Sequence, residues 1–396
     1  MNILNQNEML IVSKYFNKIS DYINLIKCCK EYNEILNLLN FNPIHLNKRI
    51  FKYFNNLQTY HIYNKQHFKD FYNYNKISKI NWYPINYNTY ILKLNNENMK
   101  YKYFKVNKNE YLKYTNKIKN KIVKFNKYCF NRCMNLKEII IPNSVTKLGY
   151  YCFSNCEKLE NIKLSTNLKE IGKWCFKNCY NLEKIIIPDS VTKLNNYSFC
   201  NCINLINIQL STNLKNIGVD CFYKCSNLKE INMPDNVTKI GIVAFAKCKK
   251  LEKINIPDNV TKLGYSCFKN CYNLMNIKLP TKLKKIGAEC FNKCYNLKEI
   301  IIPDEITKIS AGCFTDCHNL INIQLPTNLK EIGNYSFENC RKLKKINTKC
   351  ECKNLMNVKL CGDLPICLLN SFYDCTNLEE INVPNSVTII NDIILP

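Results

Sequence analysis

The sequence predicts an α/β repeat solenoid: a superhelix with a parallel concave sheet of short strands, helical turns on the other side and an N-terminal helical cap. Three periodic features predict it, namely a recurrent phenylalanine, a strand-like segment in every period, and punctuation by proline and glycine. A constant period of about 20 to 50 residues is typical of solenoids, because each repeat buries its apolar face only against its neighbours. The phenylalanine recurs every 23 residues ten times and once more after 35: Phe130, Phe153, Phe176, Phe199, Phe222, Phe245, Phe268, Phe291, Phe314, Phe337 and Phe372.

Residues 1–50 are predicted to form the helical cap. Between residues 7 and 40 the apolar residues recur at helical spacing, first around Leu10 and Phe16 and then around Ile23 and Ile26. Such a segment shields the open core at the end of a solenoid. Residues 51–120 lack the 23-residue pattern, and we expect an irregular β-rich connecting segment there.

Residues 121–396 are predicted to form about eleven repeats of 23 residues, with an irregular insertion near 345–370. In each period L-x-x-I-x-[IL] indicates a short strand, proline ends it, a second short extended piece follows, and a helical turn carries C-F-x-x-C. Seven of the nine glycines occupy one column after the second extended piece, where we predict a positive φ: Gly149, Gly172, Gly218, Gly241, Gly264, Gly287 and Gly333.

The repeats alternate between two types. Copies that read Ile-Pro-[ND]-x-[VI]-T alternate with copies that read Leu-[SP]-T-[NK]-L, which indicates duplication of a pair of repeats. The alternation slips once, because Pro234 and Pro257 both belong to the first type. At the end of the chain, residues 389–396 are apolar and are expected either to fold back over the last repeat or to leave an apolar edge.

The cysteines form two columns, three residues after the phenylalanine and one before it. The column after the phenylalanine is cysteine in all eleven copies. The column before it is cysteine in seven copies and Ser198, Ala244, Ser336 or Ser371 in the others. Alanine can neither ligate a metal nor form a disulfide, and His318 is the only histidine in the array. We therefore predict a buried cysteine ladder with no metal, redox site or cofactor.

The chain is strongly basic, with 57 Lys and Arg against 31 Asp and Glu, a net charge of +26. A basic RNA-binding surface is one interpretation. Only three of the basic residues are arginines, although bidentate contacts to nucleic acid favour arginine. Because Lys, Asn, Ile, Tyr and Phe all have A/T-rich codons, we expect nucleotide bias to explain the charge and nucleic acid to be an improbable partner.

Residues 120–396 resemble the BspA-like leucine-rich repeats, whose core reads C-x-x-L-x-x-I-x-I-P-x-x-V-x-x-I-G-x-x-A-F; the alanine before phenylalanine is mostly cysteine here. Residues 11–47 are similar to the N-terminal segment of protist members. Within them, EMLIVSKYF and DYINLIKCCKEY are similar to an F-box helix pair, although its initial proline is missing and Tyr32 replaces its tryptophan. The resemblance implies a protein-binding repeat protein or, as an alternative, a substrate-recognition adaptor of a cullin-type ubiquitin ligase.

No catalytic motif is present, and we expect a non-catalytic protein-protein interaction scaffold with a partner of unknown identity. Residues that flank the central isoleucine of L-x-x-I-x-I point away from the core and form the predicted concave binding face. The candidate partner-binding residues on it are Lys163, Lys184, Gln209, Asn232, Lys253, Asn255, Lys278 and Gln324.

The expected location is cytoplasmic. The N-terminus lacks the features of a signal peptide, and no apolar run is long enough to span a membrane. Four N-x-S/T sequons, at Asn196, Asn236, Asn259 and Asn334, leave a cell-surface or secreted location as the alternative.

Overall fold

The computed structural model describes residues 121–348 and 370–378 continuously. It also describes separate residues and short segments between positions 9 and 108, and strands at 355–359, 380–384, 389–390 and 393–394. The chain divides into two compact units, residues 1–123 and 124–396.

The N-terminal unit contains the α-helices Ile19–Cys28 and Ile35–Leu38. The first helix is capped because the Lys18 backbone N–H donates to the Asp21 carboxylate (3.0 Å), and Lys27 complements the helix dipole at the other end. The Tyr22 hydroxyl, which is fully buried, donates to the Ser13 backbone carbonyl. The small core of this unit comprises Tyr22, Ile35, Leu36, Leu39 and Phe54.

The same unit contains parallel strands. Thr59–Ile62 pairs with Ser78–Asn81, which pairs in turn with Met99–Tyr101. Ile85–Asn86 pairs with Phe104–Val106. The register offsets are 19 residues (Thr59 to Ser78) and 20 residues (Lys79 to Met99), which differ from the 23-residue period and explain why that pattern does not extend here.

In the second unit each repeat contributes one strand to each of two parallel rows, as the predicted fold class requires. The long-strand row consists of Glu138–Ile140, Asn161–Lys163, Lys184–Ile186, Asn207–Gln209, Glu230–Asn232, Lys253–Asn255, Glu299–Ile301, Asn322–Leu325, Lys345–Thr348 and Glu380–Pro384. Residues 276–278 join it only through isolated bridges. The short-strand row consists of Ile122–Phe125, Lys147–Leu148, Glu170–Ile171, Lys193–Leu194, Asn216–Ile217, Lys239–Ile240, Lys262–Leu263, Lys285–Ile286, Lys308–Ile309, Glu331–Ile332 and Ile389–Ile390.

The C-F-x-x-C segments form a third side made of single turns rather than a continuous helix. The Cys156 N–H donates to the Phe153 carbonyl within its own turn (3.2 Å), while the Phe153 N–H donates to the Cys175 carbonyl of the next repeat (2.8 Å). Two non-glycine residues per repeat take a left-handed conformation, for example Tyr151 (φ 54°) and Asn155 (φ 59°). These conformations limit each segment to a single turn, as predicted, and direct alternate backbone groups toward the neighbouring repeat.

The prediction of a positive φ for the glycine column is wrong. Among the described glycines only Gly312, outside that column, has a positive φ (61°). The column is glycine because the backbones of successive repeats touch there: a Cβ on Gly172 would lie 2.6 Å from the carbonyl carbon of Gly149. Where the column holds Asn195 or Ser310, the side chain instead donates to a backbone carbonyl of the preceding repeat (2.7 and 2.6 Å).

The alternation of repeat types has a structural basis in a hydrogen bond between their turns. Where an Ile-Pro repeat precedes a Leu-type repeat, the carboxylate of Asp189 accepts from both the N–H and the hydroxyl of Thr212 in the next repeat (2.8 and 2.9 Å). These bonds lower the pKa of the Asp189 carboxyl. Between residues 138 and 255 the long-strand row forms three separate two-stranded sheets. Two of them join an Ile-Pro repeat to the Leu-type repeat that follows it, whereas the third joins Glu230–Asn232 to Lys253–Asn255, the two repeats at which the alternation slips.

Both rows end in antiparallel pairs. Leu355–Lys359, which lies in the predicted insertion, pairs antiparallel with Glu380–Pro384. Ile393–Ile394 pairs antiparallel with Ile389–Ile390. The chain therefore reverses after Ile390 and adds one strand to the short-strand row; that residues 389–396 cover the core of the last repeat stays a prediction.

Candidate functional site

The thiol column, three residues after each phenylalanine, forms a regular set of buried hydrogen bonds. The Cys225 Sγ donates to the Phe199 carbonyl of the preceding repeat (3.2 Å), and Cys156 to the Phe130 carbonyl (3.0 Å). The same bond recurs at 3.0–3.3 Å for Cys179, Cys202, Cys248, Cys271, Cys294, Cys317, Cys340 and Cys375. Cysteine is thus invariant here because it is both small and a donor.

The thiols of Cys156, Cys267 and Cys313 have a raised pKa and remain protonated at neutral pH. Burial raises the pKa of Cys156, Cys267 and Cys313 to about 12, because apolar surroundings disfavour the thiolate. All described cysteines are free. Since the thiolate is the reactive and metal-ligating form, this arrangement is structural. No cluster of three or more His, Cys, Asp or Glu that could hold a metal ion occurs among the residues that the structure describes.

The column before the phenylalanine requires only a small side chain. Ala244 and Cys221 are both fully buried in it. Serine is accommodated because its hydroxyl donates to a carbonyl three residues earlier, as Ser198 does to Asn195 (2.6 Å). The phenylalanines between the two columns stack along the whole array, with successive ring centroids 5.0–5.6 Å apart and interplanar angles of 1–12°.

The long-strand face, defined by the outward side chains of the long-strand row, contains all eight predicted partner-binding residues. Lys163, Lys184, Gln209, Asn232, Lys253, Asn255 and Lys278 are exposed, and Gln324 is half-buried. Strand register brings them into two rows: Lys184 lies opposite Asn207, Asn232 opposite Asn255, and Asn255 is bridged to Lys278. Their placement on one face follows from the period-two alternation of a strand.

Three exposed isoleucines lie among these polar residues. Ile140, Ile186 and Ile301 are 62%, 63% and 56% exposed, which is unusual for large apolar side chains in an otherwise ordered repeat. They lie directly opposite Lys163, Gln209 and Gln324. The face therefore offers apolar contacts among amide and lysine side chains.

Two grooves open on this face where the long-strand row is irregular. A groove of about 680 Å³ lies between residues 276–281 and 299–305, and one of about 410 Å³ lies between 207–212 and 230–234. Their lining residues are equivalent by the repeat, since Asn207 and Asn276 are three periods apart. Glu230 and Glu299 occupy the same place in the two grooves, and Lys278 lines the larger one.

The short-strand row carries a group of lysines that the sequence analysis did not select. In its two-residue strands between Lys147 and Ile332 the first residue is directed outward and the second is buried, as in Lys262–Leu263 and Lys285–Ile286. Lys262 and Lys285 lie directly opposite each other on paired parallel strands. The repeated T-K-[LI]-G sequence is the signal that could have identified them. The described part of the chain contains no helix of the length and apolarity that a membrane crossing needs.

The profile of the "BspA type Leucine rich repeat region (6 copies)" matches residues 123–252, 238–357 and 350–395, more than half of the chain. The chain belongs to the BspA-type leucine-rich repeat family. No curated protein matches it.

Several solved structures are similar to this family member. A leucine-rich repeat protein from Bacteroides ovatus is 29% identical over 68% of this chain and 67% of that chain, with a TM-score of 0.49. The T. pallidum leucine rich repeat protein is 28% identical over 45% and 72%, with a TM-score of 0.35. A leucine rich cell surface protein from Faecalibacterium prausnitzii is 19% identical over 75% and 80%, with a TM-score of 0.41.

Proposed function

We propose that this repeat protein is a non-catalytic protein-protein interaction scaffold that binds a protein partner through the long-strand face. The observation that carries the proposal is the set of exposed isoleucines at one register position, each paired with a polar residue. Interfaces of this kind combine a central apolar contact with a polar rim. The grooves lined by Gln209, Asn232 and Lys278 add concave surface to the same face.

Specific contacts to the partner are assigned to the eight residues predicted from the sequence. Lys163 and Gln209 flank the exposed Ile186 from the neighbouring repeats, and Lys278 and Gln324 flank Ile301 in the same way. Removal of one lysine charge at the rim mainly changes the association rate, whereas truncation of a central isoleucine changes dissociation. The proposal thus distinguishes two kinds of variant on one face.

The free and buried thiols support a reducing compartment, and we retain the cytoplasm as the proposed location. The ubiquitin-ligase adaptor gains no specific support, because Tyr22, Ile35 and Leu36 of the helical segment are used in its own core. RNA binding gains none on the long-strand face, which mixes both charges with amides. These two functions are therefore outcomes of the test rather than competing proposals.

The test is quantitative capture of partners by the full chain immobilised at low density. We expect Lys163→Glu/Lys278→Glu and Ile186→Asp each to remove the main captured protein. Lys193→Glu/Lys262→Glu is the matched control, because both lysines are exposed but lie on the short-strand row. The proposal is wrong if the control removes the captured protein and the long-strand variants retain it. Recovery of cullin subunits or RNA would identify the other two functions.

A further inference from the structure

We propose that Lys239, Lys262 and Lys285, here called the lysine row, bind a linear polyanion of the inorganic polyphosphate class on the short-strand row. Successive strands of a sheet lie about 4.8 Å apart, which is the spacing of Lys262 and Lys285 on their two-stranded sheet, and Lys239 lies on the last strand of the neighbouring sheet. Lys262 and Lys285 are directly paired, and Lys239 holds the same position in the repeat before them. All three are exposed and lie on strands whose second residue is buried.

The lysine row is not neutralised by the protein, although the same column is neutralised elsewhere. Lys147 pairs with Glu170 of the next repeat, and Lys308 pairs with Glu331. Within residues 121–348 the three lysines of the row form no ion pair, and Lys262 faces Lys285 across paired strands. Like charges directly opposite on a sheet are destabilising, and a bound anion would remove that cost.

The column beside the lysine row extends the positive charge. It presents Thr238, Thr261 and Lys284 in the same three repeats and Lys215 in the repeat before them, all of them exposed. Backbone hydrogen bonds from Thr238 to Lys215 (3.0 Å) and from Lys284 to Thr261 (2.9 Å) hold these residues next to each other. Neither column contains an acidic residue between positions 215 and 285.

The shape and chemistry of this strip favour a thin, flexible chain of phosphates over other polyanions. Ammonium groups act as point charges that can meet phosphate oxygens in any orientation, whereas planar recognition needs arginine, and none is present here. Neither column holds an aromatic ring between residues 215 and 285, so single-stranded nucleic acid would find no stacking platform. Threonine hydroxyls can donate to the same phosphate oxygens.

The experiment measures binding of the full chain to end-labelled polyphosphate of defined length by fluorescence anisotropy at several salt concentrations. We expect Lys239→Gln/Lys262→Gln/Lys285→Gln to weaken binding about tenfold or more and to reduce the salt slope by about two to three, one counterion per lost contact. The control Lys184→Gln/Lys253→Gln/Lys278→Gln removes the same charge from the long-strand face and should leave affinity nearly unchanged. Equal loss in both triple variants would assign binding to net charge and overturn the proposal.

A second variant separates binding from folding. Lys262→Glu places a carboxylate between Lys239 and Lys285, as Glu170 lies beside Lys147. We expect thermal stability to be retained or raised and polyphosphate affinity to be lost; retained affinity would contradict the proposal. Poly(U) RNA, heparin and phosphatidylserine vesicles serve as competitors. If the lysine row controls binding to one of these and not to polyphosphate, the assigned partner class is wrong.

Discussion

Replacement of Cys225 by alanine should destabilise the repeat array by about 2 kcal/mol. The thiol is fully buried and its Sγ lies 3.2 Å from the Phe199 carbonyl. Loss of a weak hydrogen bond contributes about 0.5–1 kcal/mol, and removal of the buried sulfur with its residual cavity contributes about 1 kcal/mol. The loss of the hydrogen bond is the contribution that is specific to the thiol column.

The matched control is Cys221→Ala. Cys221 is equally buried, but Ala244 occupies the same column one period later, and Phe245 beside it still stacks on both neighbouring phenylalanines. We therefore expect a cost of about 1 kcal/mol or less, since only the sulfur volume is lost. The difference between the two variants isolates the contribution of the thiol as a donor.

Urea unfolding followed by far-UV circular dichroism measures both variants. The denaturant slope must remain unchanged for the midpoints to be compared, because a solenoid can unfold in more than one step. An equal shift of the two midpoints would refute the donor role and would mean that the thiol column requires only a small side chain.

Four further outcomes are expected. The free energy of unfolding should be constant below about pH 8.5, the pKa of an unfolded thiol, and should fall as the pH rises toward the folded pKa of about 12 for Cys156. Urea midpoints between pH 7 and 10 would measure this fall. Gly172→Ala should cost about 2–3 kcal/mol because its Cβ would meet the Gly149 backbone, and a melting temperature like that of the parent would contradict this. Phe222→Ala should cost about 4 kcal/mol by the same urea assay, since the buried ring stacks on both neighbours. Asp189→Ala should destabilise the array at neutral pH but much less at a pH below the lowered pKa of Asp189, where the carboxylate of the parent is protonated. Asp189→Asn should cost less stability than Asp189→Ala. An unchanged melting temperature for Asp189→Ala would contradict a stabilising role of the bonds from Thr212.

The fold could be predicted from the sequence because residues one period apart pack directly on each other. The phenylalanine at each 23-residue step becomes one continuous stack, and the isoleucine between Lys184 and Ile186 is buried while both neighbours are exposed. The side of the sheet on which the candidate residues lie could be predicted for the same reason. Whether they bind a partner remains a prediction, since a strand pattern specifies orientation and not recognition.

Other features depended on contacts between repeats, which one period cannot reveal. Glycine is used both for positive φ and for close approach, and the structure separates the two causes because a Cβ on Gly172 would lie 2.6 Å from the Gly149 carbonyl carbon. Left-handed conformations were missed because Tyr151 and Trp174 are poor indicators of them, although Asn155 in the second such column is a better one. The unpaired lysine row required strand register, because Lys262 and Lys285 are 23 residues apart in sequence.

The hydrogen bonds that Asp189 accepts from Thr212 have a consequence for how such an array can change its length. An Ile-Pro repeat supplies the acceptor and the next repeat supplies the donor, so the smallest segment that is complete in itself is two periods, or 46 residues. Insertion or deletion of 46 residues preserves every such match, whereas a change of 23 leaves one carboxylate facing a turn of its own type. The junction of Pro234 and Pro257 is one such mismatch: the residue 23 positions after Asp235 is Asp258, and Asn259 keeps only the bond to the Asp235 backbone carbonyl (2.9 Å) that Asn213 also makes to the Asp189 backbone carbonyl (3.1 Å). Recombination within a gene of this kind would therefore yield viable proteins mainly in steps of two repeats.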